Sequence, residues 1–558
     1  MNLNNIVIAD MLSIKKVIKE NRLLVVFLVV YSFWSISTVM DFPTVDHTND
    51  DMWHMDRAVN YVQKNVFKQS FFMLDRLNSD GRNVFNWNDL FNAWALKYLD
   101  PSVFSMRLKS LVLGLLLLIS FYIFSLQFFK NKSIALCSVI CLAFTHGFLY
   151  RSHDARPEIL MSLMYFIFFW ISYRFAVDVS PQPSPLWFIF IGLIPLLCFR
   201  QIHPNGIVFY LVGLVFFLIF QPRCFLNWRS WVFFLLGIAI FFSYAYILTE
   251  VFDFNRSNEL PDHSQTALVN EDMLNWIPIY KVADFTSPSS FFKTAFHTFG
   301  LILKYPARIA ARINHHLFSR YVDLFLIGFT ALVVLLQIVV LKHIKGIKFI
   351  APWILIHWIM MSCISGSSTD YSIYFMPMLI LTLLSSIIHV SDHFHKHGQR
   401  IIAGVVLFQI VFMLVIISKL KYFDQYSRNL SVIDREVSES IPEHSTVIGA
   451  PLCFTLLKPK KDMTYIDIRQ ASGIDWVMKM NTKNTGYDFF TEFDKKRFDY
   501  VIFDDFFKDI IEQLNCDPEQ FVSKYLSQYE VISVLNTEYP SSRGVTKQIV
   551  IYHRRSFK

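Results

Sequence analysis

The feature that most constrains this chain is a series of long apolar runs with no charge in them. Leu111–Phe129, Ile159–Tyr173, Trp187–Phe199, Gly206–Phe220 and Trp231–Leu248 contain no Asp, Glu, Lys or Arg. Runs near the ~20 residues that cross a bilayer read as transmembrane helices, because only a helix satisfies its own backbone in hydrocarbon. Helices buried in a soluble core would keep a polar stripe, and these do not. Composition agrees: 54% of the residues are hydrophobic and only 17% charged, against about 25% charged in a soluble chain.

Hydropathy predicts about eleven spans, near 23–40, 108–128, 133–150, 157–176, 186–200, 206–221, 231–249, 322–341, 349–365, 372–390 and 401–418. Lys15, Lys16, Lys19 and Arg22 precede the first run, which is long for a signal peptide and lacks a small-residue cleavage site. It reads as a retained span. Placing the N-terminus inside puts Lys130, Lys132, Arg223, Arg229, Lys342, Lys345, Lys348, Lys396 and Arg400 in inside loops, as the positive-inside rule prefers. An odd number of spans then leaves the C-terminus outside. The expected fold class is a polytopic α-helical membrane protein with a small extracytoplasmic α/β domain. Residues 1–420 form the spanning module and 421–558 the soluble unit.

Three segments share the outer side: 41–107, 250–321 and the tail. In the first, "MWHMDRAVNYVQKNVFK" keeps helical spacing of apolar residues. In the second, "SFFKTAFHTFGLILKYPARIAARINHHLF" reads as amphipathic helices at the membrane interface. In the tail, "STVIGAP", "MTYIDI", "FDYVIFDD" and "KQIVIYHRR" read as strands and "DPEQFVSKYLSQY" as a helix. Cys453 and Cys516 are the only cysteines in that polar region, and a disulfide between them stays open. The net charge of +8 lies mainly at helix ends, so it does not point to nucleic acid.

The spans are almost free of Asp, Glu, Lys and Arg, whereas transporters keep such groups within them. Here they gather at one rim: Asp50, Asp51, His54 and Asp56; Arg107; "RSHDARPE" with Arg151, Asp154, Arg156 and Glu158; Arg200 and His203; and Lys304, Arg308, Arg312, His315, His316 and Arg320. Converging cations and carboxylates suit a reaction at the membrane surface. Each group also has a plainer reading. Asp50 and Asp51 could simply cap a helix, "RSHDARPE" could be a solvated turn, and residues 304–320 could meet lipid headgroups. Asp50 and His54 are four apart and could hold a divalent metal on one helix face.

In order and spacing, residues 20–390 resemble the multi-spanning C-type glycosyltransferases that use lipid-phosphate sugars, such as the protein O-mannosyltransferases and the bacterial aminoarabinose transferases of lipid A. "NDDMWHMDRA" is similar to the acidic pair of their first outer loop, although Asp50-Asp51 stands where Asp-Glu is common. "MRLKSLVLGLL" matches the arginine that opens their second span, here Arg107, and "HDARPEILMSLM" the turn between the third and fourth. "HPNG" (His203–Gly206) and "YSIYFMPMLI" (Tyr371–Ile380) resemble the starts of later spans.

The resemblance implies an inverting transfer from a polyprenyl phosphate, with Asp51, then Asp50, as base. Substrate would be bound by Arg107, Arg151, Asp154, Arg156, Glu158, Arg200, His203, Lys304, Arg308, Tyr371 and Tyr374. Partners would be the lipid-linked sugar, membrane lipids and an acceptor glycan, lipid or protein, in a bacterial inner membrane. No cofactor is certain from the sequence, and a divalent metal is an option. Two alternatives remain: a polymerase or ligase acting on diphosphate-linked glycans through residues 304–320, and a lipid-linked sugar transporter.

Overall fold

The computed structural model describes residues 21–39, 48–65, 68–70, 80–83, 86–177, 186–203, 206–250, 287–311, 347–364, 373–393, parts of 400–415, 430–473, 488–541 and 544–555. The chain is mostly helical, with a small sheet near its C-terminal end. The apolar helices are α1 (Arg22–Trp34), α4 (Val103–Phe129), α5 (Lys132–Ala143), α7 (Glu158–Val177), α8 (Trp187–Gln201), α9 (Gly206–Phe220), α10 (Trp228–Glu250), α12 (Ile347–Ile364) and α13 (Met376–His393). Between them stand α2 (Thr48–Lys64), α3 (Trp87–Tyr98), α6 (His146–Arg151) and α11 (Pro288–Ala311).

Among the described residues three helices are long and apolar enough to cross a membrane: Val103–Phe129, Glu158–Ala176 and Trp228–Leu248. Six of the other expected spans are shorter apolar helices among the described residues. The run 322–341 lies outside the described residues, and 401–418 is described only in fragments. The difference from the expected eleven has a local cause at 133–150. Hydropathy reads that run as one span, yet the helix stops at Ala143 and restarts at His146. Thr145 makes the break: its hydroxyl donates to the Leu142 carbonyl at 2.9 Å and accepts the Phe148 amide at 3.3 Å. A threonine that caps a helix adds little polarity, so hydropathy passes over it.

Local chemistry sets the turns. Ser102 caps α4 by accepting the Ser105 amide. Lys130 ends it in the left-handed region (φ 53°), and Asn131 caps α5 through the Ser133 and Ile134 amides. Helices α8 and α10 cross where side chains vanish. A Cβ on Gly192 would lie 2.5 Å from the Phe234 carbonyl oxygen, and one on Gly237 would strike Ile189. Such small-residue contacts let membrane helices approach backbone to backbone.

Among the described residues five strands make the tail sheet, in the order β4 (Thr464–Asp467), β3 (Thr446–Gly449), β5 (Tyr500–Asp504), β7 (Gly544–Arg554), β6 (Tyr529–Ser541). Strands β4, β3 and β5 are parallel, and β7 runs antiparallel to both β5 and β6. A short pair, β1 (Lys68–Ser70) with β2 (Asp80–Asn83), follows α2. Helices α14 (Pro451–Leu457), α15 (Asp505–Gln513) and α16 (Pro518–Tyr525) pack around the larger sheet. The four expected strands and the helix stand where the sequence put them; β6 was not anticipated. Cys453 and Cys516 are free thiols, not a disulfide. Burial raises the Cys453 thiol well above the ordinary range, with Asp504 adding to the effect.

Candidate active site at one rim of the helices

The first turn of α4, the turn between α6 and α7, the end of α8 and helices α2 and α3 meet at one end of the apolar helices. Amides tie them together. Asn88 and Asn92 of α3 each donate to the Ala155 carbonyl at 3.0 Å, and Asn86 donates to the Ile202 carbonyl at 2.9 Å. Lys109 of α4 donates to the Asn88 side-chain oxygen at 2.6 Å.

Residues 151–158 form the most charged part of this rim, and they are buried rather than solvated. Arg151 Nη1 meets Asp154 Oδ2 at 2.6 Å, with the two side chains 1% and 0% exposed. The other Asp154 oxygen accepts the Arg156 amide at 3.1 Å, and Arg156 Nη2 reaches Glu158 Oε1 at 2.5 Å. Burial raises the Asp154 carboxyl above its ordinary range, and Glu158 adds to this, while Arg151 and Arg156 oppose it. His153 has its tautomer set by the backbone: a carbonyl can only accept, so Nδ1–H donates to Leu149 at 2.6 Å. Burial and the nearby Arg107 charge push its basicity down to about 4, leaving the ring neutral. Arg107 is itself 5% exposed.

A second cluster joins α2 to α3. Asp89, wholly buried, holds His54 Nδ1 at 2.6 Å with one oxygen and Arg57 Nε at 2.9 Å with the other. Sequence reasoning passed over Asp89, a single acid among the residues of "WNDLFNAWALKY". A signal was present: Asn88, Asp89 and Asn92 fall on one helical face and are buried, while Trp94 is 46% exposed. That inverted pattern marks a helix whose polar side faces protein.

Asp50 and Asp51 lie in the first turn of α2, one turn before His54 and Met55; their side chains fall outside those described. Arg200 lies on the last turn of α8, and Lys304 and Arg308 on the last two turns of α11, again with side chains outside those described. His203 is half-buried, and its carbonyl accepts the Gly206 amide at 2.9 Å. Tyr374 is buried against Phe209 and Tyr165. Arg312, His315, His316, Arg320 and Tyr371 lie outside the described residues. Among the described residues no three His, Cys, Asp or Glu side chains gather as a metal site. A small apolar cavity of about 50 Å³ near Phe188, Phe217 and Trp231 lies at the opposite end of α8, away from these charges.

Fold and rim together describe a membrane protein with a charged, water-poor cluster at one end of its apolar helices. No family model and no curated protein matches the sequence. Among the solved structures that are similar are two forms of one protein. ArnT from Cupriavidus metallidurans bound to undecaprenyl phosphate aligns over 97% of this chain and 99% of its own, at 10% identity and a TM-score of 0.43. The apo form of the same protein aligns over 95% and 97%, at 10% identity and a TM-score of 0.41.

Proposed function

We propose that this chain is an integral-membrane glycosyltransferase that moves a sugar from a polyprenyl-phosphate donor to a hydroxyl or phosphate of an acceptor. The carrying observation is the buried group Arg107, Arg151, Asp154, Arg156 and Glu158 beside the helix that opens with Asp50 and Asp51. Charge buried at a membrane rim is costly and is retained where it is used. Three arginines against two carboxylates leave a cationic excess that suits a lipid phosphate.

In this reading Asp51, or Asp50 in its place, takes the proton of an acceptor hydroxyl. The acceptor oxygen bonds to the anomeric carbon from the face opposite the phosphate. The bond from that carbon to the phosphate oxygen breaks with its electron pair on the lipid phosphate, so configuration inverts. Arg107, Arg156, Arg200 and Arg308 are candidates to receive the phosphate charge. Residues 1–420 are the multi-pass module, N-terminus cytoplasmic, in a bacterial inner membrane; 421–558 are the extracytoplasmic unit.

The test is turnover of a panel of polyprenyl-phosphate sugars by protein in nanodiscs, with and without a chelator. Wild type runs beside Asp50→Asn, Asp51→Asn and Arg107→Ala. Consumption of one donor that Asp51→Asn abolishes supports the reading. Turnover that survives both aspartate changes moves the base to Asp154 or Glu158. No turnover of any monophosphate donor, with binding of a diphosphate-linked glycan, sinks the reading in favour of a polymerase. Chelator sensitivity would bring back a metal at Asp50 and His54.

A further inference from the structure

The tail sheet does not close its core by itself. One continuous group of buried side chains contains Val447, Ile448, Val501 and Ile502 of the sheet and Leu452 and Leu456 of α14. The same group contains Met55, Ala58 and Val59 of α2, Ala93 and Leu96 of α3, Met106 of α4 and Ala155 of the charged turn. Met55 and Ala58 are wholly buried, so α2 has a face spent on this shared core. Helix α14 is the tail element packed on α2.

We propose that the C-terminal sheet unit acts as a clamp on α2, holding the helix that opens with Asp50 and Asp51 against the Arg151–Glu158 turn. The geometry requires little else. Asp51 stands one turn before Met55 and two before Ala58, so the seated face fixes where the aspartate pair begins. Ala155, in the same core, anchors the other charged segment, and Asn88 and Asn92 hold its carbonyl. Both segments therefore take their positions from one packed interior, and packed interiors transmit displacement rather than absorb it.

Lys458, which follows α14, is the polar handle of this contact. It is 7% exposed, and its ammonium donates to the Met463 carbonyl at 2.7 Å. Burial lowers its basicity; Asp56 of α2 opposes that, Lys64 of α2 adds to it, and Asp462 opposes it. Asp56, the α2 carboxylate whose charge acts on Lys458, is itself 2% exposed. A glutamate at 458 would set a second buried carboxylate near Asp56 and part the two elements; it also strips the Met463 carbonyl of its donor, a loss that Lys458→Met shares without the added charge.

The experiment is hydrogen exchange on the full chain in nanodiscs, comparing wild type with Lys458→Glu and with the milder Lys458→Met. In Lys458→Glu the amides of 48–64 are expected to exchange about tenfold faster or more, while strands 446–449 and 500–504 keep their protection. Lys458→Met should move the same amides in the same direction by less. Unchanged exchange over 48–64 in both variants, or equal loss of protection in the strands, overturns the clamp. The catalytic consequence rests on the transferase reading: donor turnover in Lys458→Glu should fall about ten- to a hundredfold in kcat, with donor KM held. A wild type that turns over no donor ends the transferase reading and leaves the exchange result to judge the clamp.

Discussion

Tyr165 and His357, 192 residues apart in sequence, meet at 2.7 Å between the phenolic oxygen and Nδ1. Tyr165 stands on α7 and His357 on α12, both fully buried, with Phe209 stacked on Tyr165 and Phe375 beside the imidazole. A polar bond in such an apolar interior pins two helices at one register. Tyr165→Phe strands the ring nitrogen and should destabilise the protein by about 1–3 kcal/mol. Tyr165→Phe with His357→Leu, which removes both polar partners, should cost less than Tyr165→Phe alone. Thermal unfolding in one detergent, wild type against the single and double variants, decides it. A double variant less stable than the single would mean that the pair contributes by volume alone.

Asp89 serves His54 and Arg57 together, so its loss takes the shared carboxylate from both. Asp89→Ala should cost about 3 kcal/mol, in the range for breaking a buried pair from one side. Asp89→Asn should cost less, because an amide oxygen still accepts from one of them. The check is the unfolding midpoint of each variant in the same detergent. Equal midpoints for wild type and Asp89→Ala would contradict the geometry.

How much of this was readable beforehand differs from element to element. Apolar runs announced α4, α7 and α10, because hydrocarbon demands the same composition along a whole helix. Four of the tail strands showed as short β-branched and aromatic runs. Strand β6 did not: Val531, Ile532 and Val534 are 52%, 42% and 50% exposed, so its apolar residues fall on both faces and no alternation appears. The charged turn was visible as a cluster at 151–158, but its burial was not, since burial depends on what α3 and α4 place over it. His357 was missed because one neutral imidazole hardly alters an apolar run. The shared core of tail and α2 has no local signature at all, being a contact between segments almost 400 residues apart.

The amphipathic reading of 290–318 can be tested on α11, where Phe292, Phe296 and Phe299 are 70%, 81% and 58% exposed; residues 312–318 lie outside those described. Their spacing of four and three puts them on one stripe, a shape that lies in a membrane interface. Phe296→Trp supplies a reporter. In vesicles its emission should be blue-shifted and quenched by brominated acyl chains. Emission typical of water, with no quenching, would assign the stripe to a protein neighbour instead.

Asp504 ends β5 and caps α15 by accepting the Phe507 amide at 2.8 Å. Burial weakens it as an acid, lifting its pKa from 3.8 to about 7; Asp505 adds to this, and the Phe507 bond and Lys508 hold it back. The sign of the consequence follows from proton counting. Between about pH 4 and pH 7 the folded chain keeps a proton that the unfolded chain has lost, so stability falls as pH rises through that window. The contribution is full below the unfolded value and gone above the folded one. Asparagine stays neutral throughout and keeps an oxygen for the Phe507 amide. Asp504→Asn should therefore flatten this part of the stability profile and raise stability at pH 8, by an amount on the order of 1–3 kcal/mol. Unfolding midpoints of the two proteins from pH 5 to pH 8 test it: the curves should converge at the acid end and separate toward pH 8. Parallel curves would show that Asp504 is charged in the fold at every pH tested.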